Sequence, residues 1–433
     1  MKKNNIKIST YFLLTIAIVT AVACKKNYTD PSRATEEQVF SSAKGLTGVA
    51  VGLQRVYTAG RGSSLYNLVT ADGFTTNQLN ILNQGNTAEY QLSLGGGSVD
   101  GTNTILAGLW TTSNKIIYDA DQVIANAETL GDKSFASGLI GYATIYKALS
   151  IGNMSMFWEK VPEGIGANVN FIARTEGFNK AIAAIDKALA AINTNAISPA
   201  FLNNIPAGVD IVNTLNALKA RYSLYAGNYT QALAASNLVD LTKKSTTNFD
   251  AVNLNPIFET ATSTNNVYQP IDSTMGLPAS IQPNLADKRV PFYISINATV
   301  APRFRITGFG GTSTTAFPIY LPGEVILIKA ECYARQNDLT NGLAELNKIV
   351  TKKAANDPFA VGADLPAITG PLTQTELLEQ IYRNRCIELY MSGLKLEDMR
   401  RFNRATSERR RNLMPYPFRE RDNNPNTPPD PPF

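Results

Sequence analysis

Ala220-Arg221-Tyr222-Ser223-Leu224, followed by Tyr229-Thr230-Gln231-Ala232-Leu233, returns later in the chain as Ala330-Glu331-Cys332-Tyr333-Ala334, followed by Leu339-Thr340-Asn341-Gly342-Leu343. Each copy reads as a helix, a polar turn and a second helix, with apolar residues spaced three and four apart. Ala232 and Gly342 occupy the same small position in the second helix, flanked by large residues, and such a notch lets one helix nest closely on another. Phe178, Ala181 and Ile182 echo that second-helix pattern. Large, small, large at this spacing is the habit of tetratricopeptide units. The copies are degenerate and not tandem. They predict a mainly α fold of tetratricopeptide-type helical pairs on a loop-rich region with a few short strands, with ordinary helical hairpins as the plainer alternative.

Outward from this repeat, helical periodicity covers residues 36–57, where Phe40, Leu46, Val49, Leu53 and Val56 form one stripe, and then about 105–130, 135–149, 175–192 and 212–239. Two further helical regions span about 321–352 and 374–401. The scaffold is therefore expected at about 36–240 and 321–402. Residues 71–104 lose the periodicity and carry Gly95-Gly96-Gly97 with several Asn and Thr, which predicts a long surface excursion. Residues 241–320 are again rich in Asn, Thr, Pro and Gly, with short apolar runs such as Pro291 to Ile296 that suit strands.

The first 23 residues read as a signal peptide: Lys2, Lys3 and Lys7 precede an apolar run from Tyr11 to Ala23, too short for the about 20 residues of a membrane span. Ala21-Val22-Ala23-Cys24 resembles a bacterial lipoprotein cleavage site, with Ala21 where Leu is commoner. Lipid attachment is expected at Cys24, each buried CH₂ of its acyl chains contributing ~0.8 kcal/mol, and residues 24–433 then form one mature domain. An ordinary secretory signal with an incidental Cys is the alternative. Loss of Lys2, Lys3 and Lys7 takes the formal charge from +5 to +2, so nucleic-acid binding has no whole-chain electrostatic support.

The 433 residues contain no histidine. That excludes Ser-His-Asp and Cys-His nucleophile activation and the zinc sites built on imidazole. Beside Cys24, only Cys332 and Cys386 remain, too few for a disulfide scaffold or a four-cysteine zinc site; each falls in a helical pattern and reads as a small buried hydrophobe before it reads as half of a disulfide. No metal and no cofactor is expected. Gly308, Gly310 and Gly311 read as a turn, since no Lys-Ser/Thr follows them. Composition leaves open a carboxylate-dependent glycosidase.

The run Phe317-Pro318-Ile319-Tyr320 with Glu324-Val325-Ile326-Leu327-Ile328-Lys329-Ala330-Glu331, then Leu343-Ala344-Glu345-Leu346-Asn347, then Ile387-Glu388-Leu389-Tyr390 with Gly393 and Asp398-Met399-Arg400-Arg401-Phe402, resembles the C-terminal half of SusD/RagB lipoproteins. Pro256-Ile257-Phe258-Glu259, Asp287-Lys288-Arg289-Val290-Pro291-Phe292-Tyr293, Val161-Pro162, Pro417 and Asn424-Pro425-Asn426 extend the likeness over nearly the whole chain. Asn384 and Ser392 stand where that family usually carries Glu, and Asp119-Ala120-Asp121 replaces the usual Ala-Asn. The resemblance implies a non-enzymatic protein on the outer face of the Bacteroidota outer membrane. Such a protein binds oligosaccharides or, in some members, peptides, and delivers them as a hinged lid to a SusC-like TonB-dependent transporter. A cell-surface glycosidase and a purely structural surface lipoprotein are the alternatives.

In relatives the two irregular segments supply ligand contacts, which points here to Phe74, Asn77 and Tyr90 in the first and to Asn265, Tyr268 and Phe309 in the second. Aromatic faces suit the C–H faces of sugar rings, and amides suit their hydroxyls; each of these residues can equally be a loop anchor. Trp110 and Trp158 read as core. Arg400, Arg401, Arg404, Arg409, Arg410 and Arg411 read as a solvated face or, since guanidinium pairs with carboxylate, as a patch for an acidic glycan, lipopolysaccharide or the transporter.

Overall fold

The structure, a computed structural model, describes residues 35–433; Cys24 and the signal segment lie outside the described residues. The principal helices are α1 (Ala43–Thr58), α2 (Ser64–Thr75), α3 (Thr87–Leu94), α4 (Thr104–Ala127), α5 (Lys133–Phe157), α6 (Arg174–Thr194), α7 (Ile211–Tyr225), α8 (Tyr229–Asn237), α9 (Pro322–Arg335), α10 (Leu339–Val350), α11 (Gln374–Glu388) and α12 (Lys395–Arg401). Side-chain caps start many of them: Ser42, Asn103, Asp132, Asp210, Asn228 and Asp338 each accept the backbone N–H three residues on. Thr373 and Glu376 form a reciprocal capping box at α11.

The helices pack in sequence order, α1 on α4, then α5, α6, α7, α8, α9, α10 and α11. Residues 241–320 interrupt the sequence but not the stack, because α8 packs directly on α9 across the insertion. The two repeat copies fold alike down to single bonds. Asn228 N–H donates to Ser223 O and Asp338 N–H to Tyr333 O, both at 2.9 Å, while Gly227 (φ 80°) and Asn337 (φ 63°) take the matching left-handed turn position. Ala232 and Gly342 are both buried as the repeat requires, and a Cβ at Gly342 would lie 3.0 Å from Leu377 on α11. Arg221 on α7 and Glu324 on α9 add a buried bidentate pair across this seam, with Nε to Oε1 at 2.6 Å and Nη2 to Oε2 at 2.7 Å.

Within residues 71–104, where the lost periodicity predicts a surface excursion, residues 71–76 are buried while residues 80–88 are half-buried or exposed. Every residue of α2 is buried, so the helix shows no stripe, and its polar groups bond inside: Asp72 accepts from Leu396 N–H at 2.7 Å, and the Thr70 and Tyr268 hydroxyls are 3.2 Å apart. Four two-stranded antiparallel sheets tie the irregular segments down: β1 (Leu79–Ile81) with β5 (Tyr268–Pro270), β2 (Lys160–Pro162) with β3 (Phe171–Ala173), β4 (Thr246–Thr247) with β8 (Phe317–Pro318), and β6 (Ile294–Ile296) with β7 (Phe304–Ile306). Of the strand expected from Pro291 to Ile296, the first half is instead the end of a helical turn, Arg289–Tyr293.

Cys332 and Cys386 are free and buried, and burial pushes each thiol up to about 12. The residues that depart from the family pattern have found partners. Asp119 pairs with Lys115 at 2.7 Å, Asp121 with Lys147, and Asn384 accepts from Arg289 at 2.9 Å.

Candidate functional site

The N-terminal turns of α4 reach the surface between two depressions. The first, about 510 Å³, lies among the start of α2 (Arg61, Gly62, Asn67), the start of α3 (Asn86, Thr87, Glu89) and Thr104, Ile105 and Gly108 of α4. The second, about 670 Å³, lies between α4 (Trp110, Thr111, Asn114), the loop joining β2 to β3 (Ile165, Val169) and the C-terminal segment (Pro417, Arg419, Glu420). Thr104 and Gly108 line both, so this stretch of α4 is a saddle between them. A Cβ at Gly108 would come within 2.6 Å of the Asn67 amide nitrogen, so that side chain would have to shift.

The first depression is polar and its groups are held in place. Arg61, with a side chain 49% exposed, pairs with Glu89, whose side chain is 1% exposed, and donates to Asn86 Oδ1 at 3.0 Å. Tyr66 OH donates to the same Glu89 oxygen, Oε1, at 2.9 Å. Burial, then the neighbouring Tyr268 and Glu89, push the Tyr66 phenol well above its usual range, so it is a fixed donor. Behind it, the Tyr268 ring lies 6.4 Å from Tyr66 and 5.5 Å from Phe74.

The second depression is more apolar, and Trp110, the one aromatic side chain in its lining, is nearly buried and backed by further rings. Trp110 stacks on Phe171 at 6.2 Å and meets Trp158 and Tyr416 edge-on at 4.9 and 5.7 Å. Its indole N–H donates to Glu420 at 3.0 Å, which fixes the ring plane. The rim loop is strapped by the C-terminal segment, Asn424 donating to Val169 O at 3.0 Å and Asn426 to Asn168 O at 2.7 Å, and leaves Ile165 41% exposed.

The six residues expected at the ligand do not meet on one surface. Phe74 and Tyr268 are 0% exposed and belong to the core, because α2 and β5 fold inward rather than forming loops; both readings are corrected. Asn77 (φ 61°) donates to Glu408 O at 2.9 Å, a strut between the end of α2 and the C-terminal segment. Asn265 (φ 50°) is buried with its amide nitrogen unpaired among the described residues. Phe309 sits in a nest of Phe292, Tyr293, Phe317 and Phe359 at 5.4, 6.0, 6.1 and 5.8 Å. Tyr90 is half-buried on α3 beside Glu89, but does not itself line the first depression. Arg61, Asn86, Glu89 and Thr104 were missed; their only trace in the sequence is a polar turn before each of three helices.

The C-terminal arginines form neither a solvated face nor an open carboxylate patch. Arg400 donates to Met156 O at 2.7 Å, Arg401 to Asp398 at 2.6 Å, Arg404 to Glu379 at 2.7 Å, Arg409 to Arg404 O at 3.1 Å, Arg410 to Ser93 O and Arg411 to Val99 O at 2.9 Å. They bolt the tail to the body. Asp72 is the carboxyl pushed up to about 6 by burial, but it faces Leu396 in the core and lines neither depression. Among the described residues no group of three or more His, Cys, Asp or Glu could hold a metal, and no helix is long and apolar enough to cross a membrane.

Residues 244–429 match the sequence model of the SusD family. Similar solved structures include a SusD superfamily protein from Bacteroides fragilis at 16% identity, covering 90% of this chain and 99% of that one with a TM-score of 0.66. A SusD-like carbohydrate binding protein from Bacteroides vulgatus, also at 16% identity, covers 84% of each chain with a TM-score of 0.67. A putative sugar binding protein from the same organism, at 12% identity, covers 89% of this chain and 98% of that one with a TM-score of 0.68. No curated protein matches the chain. At these identities the structural likeness establishes the fold.

Proposed function

Since residues 244–429 match the SusD family model and the fold is shared with SusD superfamily structures, we propose that the chain captures oligosaccharides at the α4 saddle and delivers them, as a lid, to a SusC-like TonB-dependent transporter. The observation that carries this reading is the saddle itself, where Thr104 and Gly108 join a depression of amides, hydroxyls and one ion pair to a more apolar depression lined by Trp110, Ile165 and Val169. A sugar ring offers hydroxyls at its rim and C–H groups on its faces, so it needs both kinds of surface side by side. The carbohydrate-binding description of the Bacteroides vulgatus relative supports the same class of ligand. Glu89 and Glu420, the carboxylates of the two depressions, are each engaged, the first by Arg61 and Tyr66 and the second by Trp110 and Asn424. That suits holding a ligand rather than shuttling protons.

Acylation at Cys24 would hold the protein on the outer membrane, facing the exterior. Cys24→Ala should then move it from the membrane fraction to the soluble or uncleaved one, and unchanged fractionation would refute the anchor. Labelled oligosaccharides and peptides, incubated with the mature protein and analysed for both binding and products, test the function. Binding of oligosaccharides without turnover is expected. Shortened products would make the protein a glycosidase, peptide binding alone would change the cargo, and no binding across the panel would leave a structural lipoprotein.

A further inference from the structure

The ion pair in the first depression is only half used. Glu89 takes both of its hydrogen bonds, from Arg61 and from Tyr66, on Oε1, and Oε2 accepts from no group among the described residues although Glu89 lines the depression. Arg61 likewise spends Nη2 on Glu89 and Asn86, leaving Nε and Nη1 without partners there, on a side chain 49% exposed. A free acceptor and free donors therefore stand side by side at the wall of one depression. A hydroxyl both donates and accepts, so two neighbouring sugar hydroxyls can satisfy this pair together, one donating a hydrogen bond to Glu89 and the next accepting one from Arg61. A sugar carboxylate only accepts. It would take the Arg61 donors but would lie against the Glu89 charge, and it would have to share the cation that compensates a carboxylate 1% exposed. The other charges of the saddle, Arg419 and Glu420, also cancel, so no net positive field favours an anion.

We propose that the saddle selects neutral oligosaccharides over uronic-acid oligomers, with Arg61 and Glu89 reading a pair of adjacent hydroxyls. The inference rests on the oligosaccharide reading above and names the substrate class of that site.

The test is calorimetric titration of maltohexaose, cellohexaose, xylohexaose and mannohexaose against hexagalacturonate and hexamannuronate. At least one neutral hexamer should bind about tenfold or more tighter than either uronate, as expected where like charges meet. Arg61→Gln, followed with a melting curve because it leaves the buried Glu89 carboxylate without its cation, should weaken the neutral hexamer and leave the uronates no better. Glu89→Gln should weaken the neutral hexamer and narrow its advantage over the uronates, with a melting curve to report on folding. A uronate binding as tightly as the neutral hexamers, or losing more affinity than they do in Arg61→Gln, would overturn the inference while leaving oligosaccharide capture standing. Binding of none of the six would overturn both.

Discussion

Arg221→Met should cost about 3–5 kcal/mol of stability, because it leaves Glu324 charged, 2% exposed on its side chain and without its partner. The pair is bidentate at 2.6 and 2.7 Å, and Arg221 also donates to Ile319 O at 3.1 Å, so the substitution strands a carbonyl as well. With an unfolding entropy of about 2.1 cal/mol/K per residue over about 400 residues, 3–5 kcal/mol lowers the melting temperature by about 4–6 °C. Glu324→Leu alone should cost a similar amount by leaving the guanidinium unpaired. The double variant Arg221→Met/Glu324→Leu should lose less than either single one, since an apolar pair of similar volume avoids the desolvation cost of both ions. Urea titrations of the four proteins measure the cycle. Simple additivity of the two losses would mean that α7 and α9 are not coupled through this pair, and the continuity of the stack across residues 241–320 would lose its main polar link.

Asp72, held at about 6 against 3.8 in the unfolded chain, keeps a proton in the folded protein that the unfolded chain has lost between these values, so its contribution to stability falls as pH rises through that window, by about 3 kcal/mol in all. The stability difference between wild type and Asp72→Asn, followed by urea unfolding from pH 4 to 7, should change by this amount and level off above pH 6; a constant difference would contradict the assignment. Ala232→Leu should lower the melting temperature by overpacking a residue with no exposed surface, at roughly 1–3 kcal/mol. If neither it nor Gly342→Leu shifts the melt, the repeat alignment is wrong. Tyr268→Ala should cost about 3–5 kcal/mol as a core truncation, whereas Tyr90→Ala should leave the melt nearly unchanged; equal melts would return Tyr268 to the surface.

The helical stack was legible because its signal is local. Within each copy the turn (Gly227, Asn337), the cap (Asn228, Asp338) and the notch (Ala232, Gly342) fall in one short stretch, residues 227–232 and 337–342. α2 was not legible, because a helix buried on all sides has no polar face to set a period, and its Asn, Thr and Asp looked like loop residues until tertiary partners satisfied them. The site failed for a related reason. Tyr268 and Phe74 have the composition of ligand contacts, but the pairing of β1 with β5 buries them beneath Tyr66. The surface they support comes from Arg61, Glu89 and Thr104, which no spacing rule connects.

Thr104 is exposed, belongs to the first turn of α4 and lines both depressions, so a large ring placed there obstructs the saddle without disturbing the core. The most direct measurement is calorimetry of the tightest oligosaccharide from the panel against wild type and Thr104→Trp, with melting curves of both. Oligosaccharide capture at the saddle predicts binding to the wild type and an affinity about tenfold or more weaker in Thr104→Trp at an unchanged melting temperature, the loss expected when more than about 1.4 kcal/mol of contact is blocked. Equal affinity in the two proteins would place the ligand elsewhere and contradict the account.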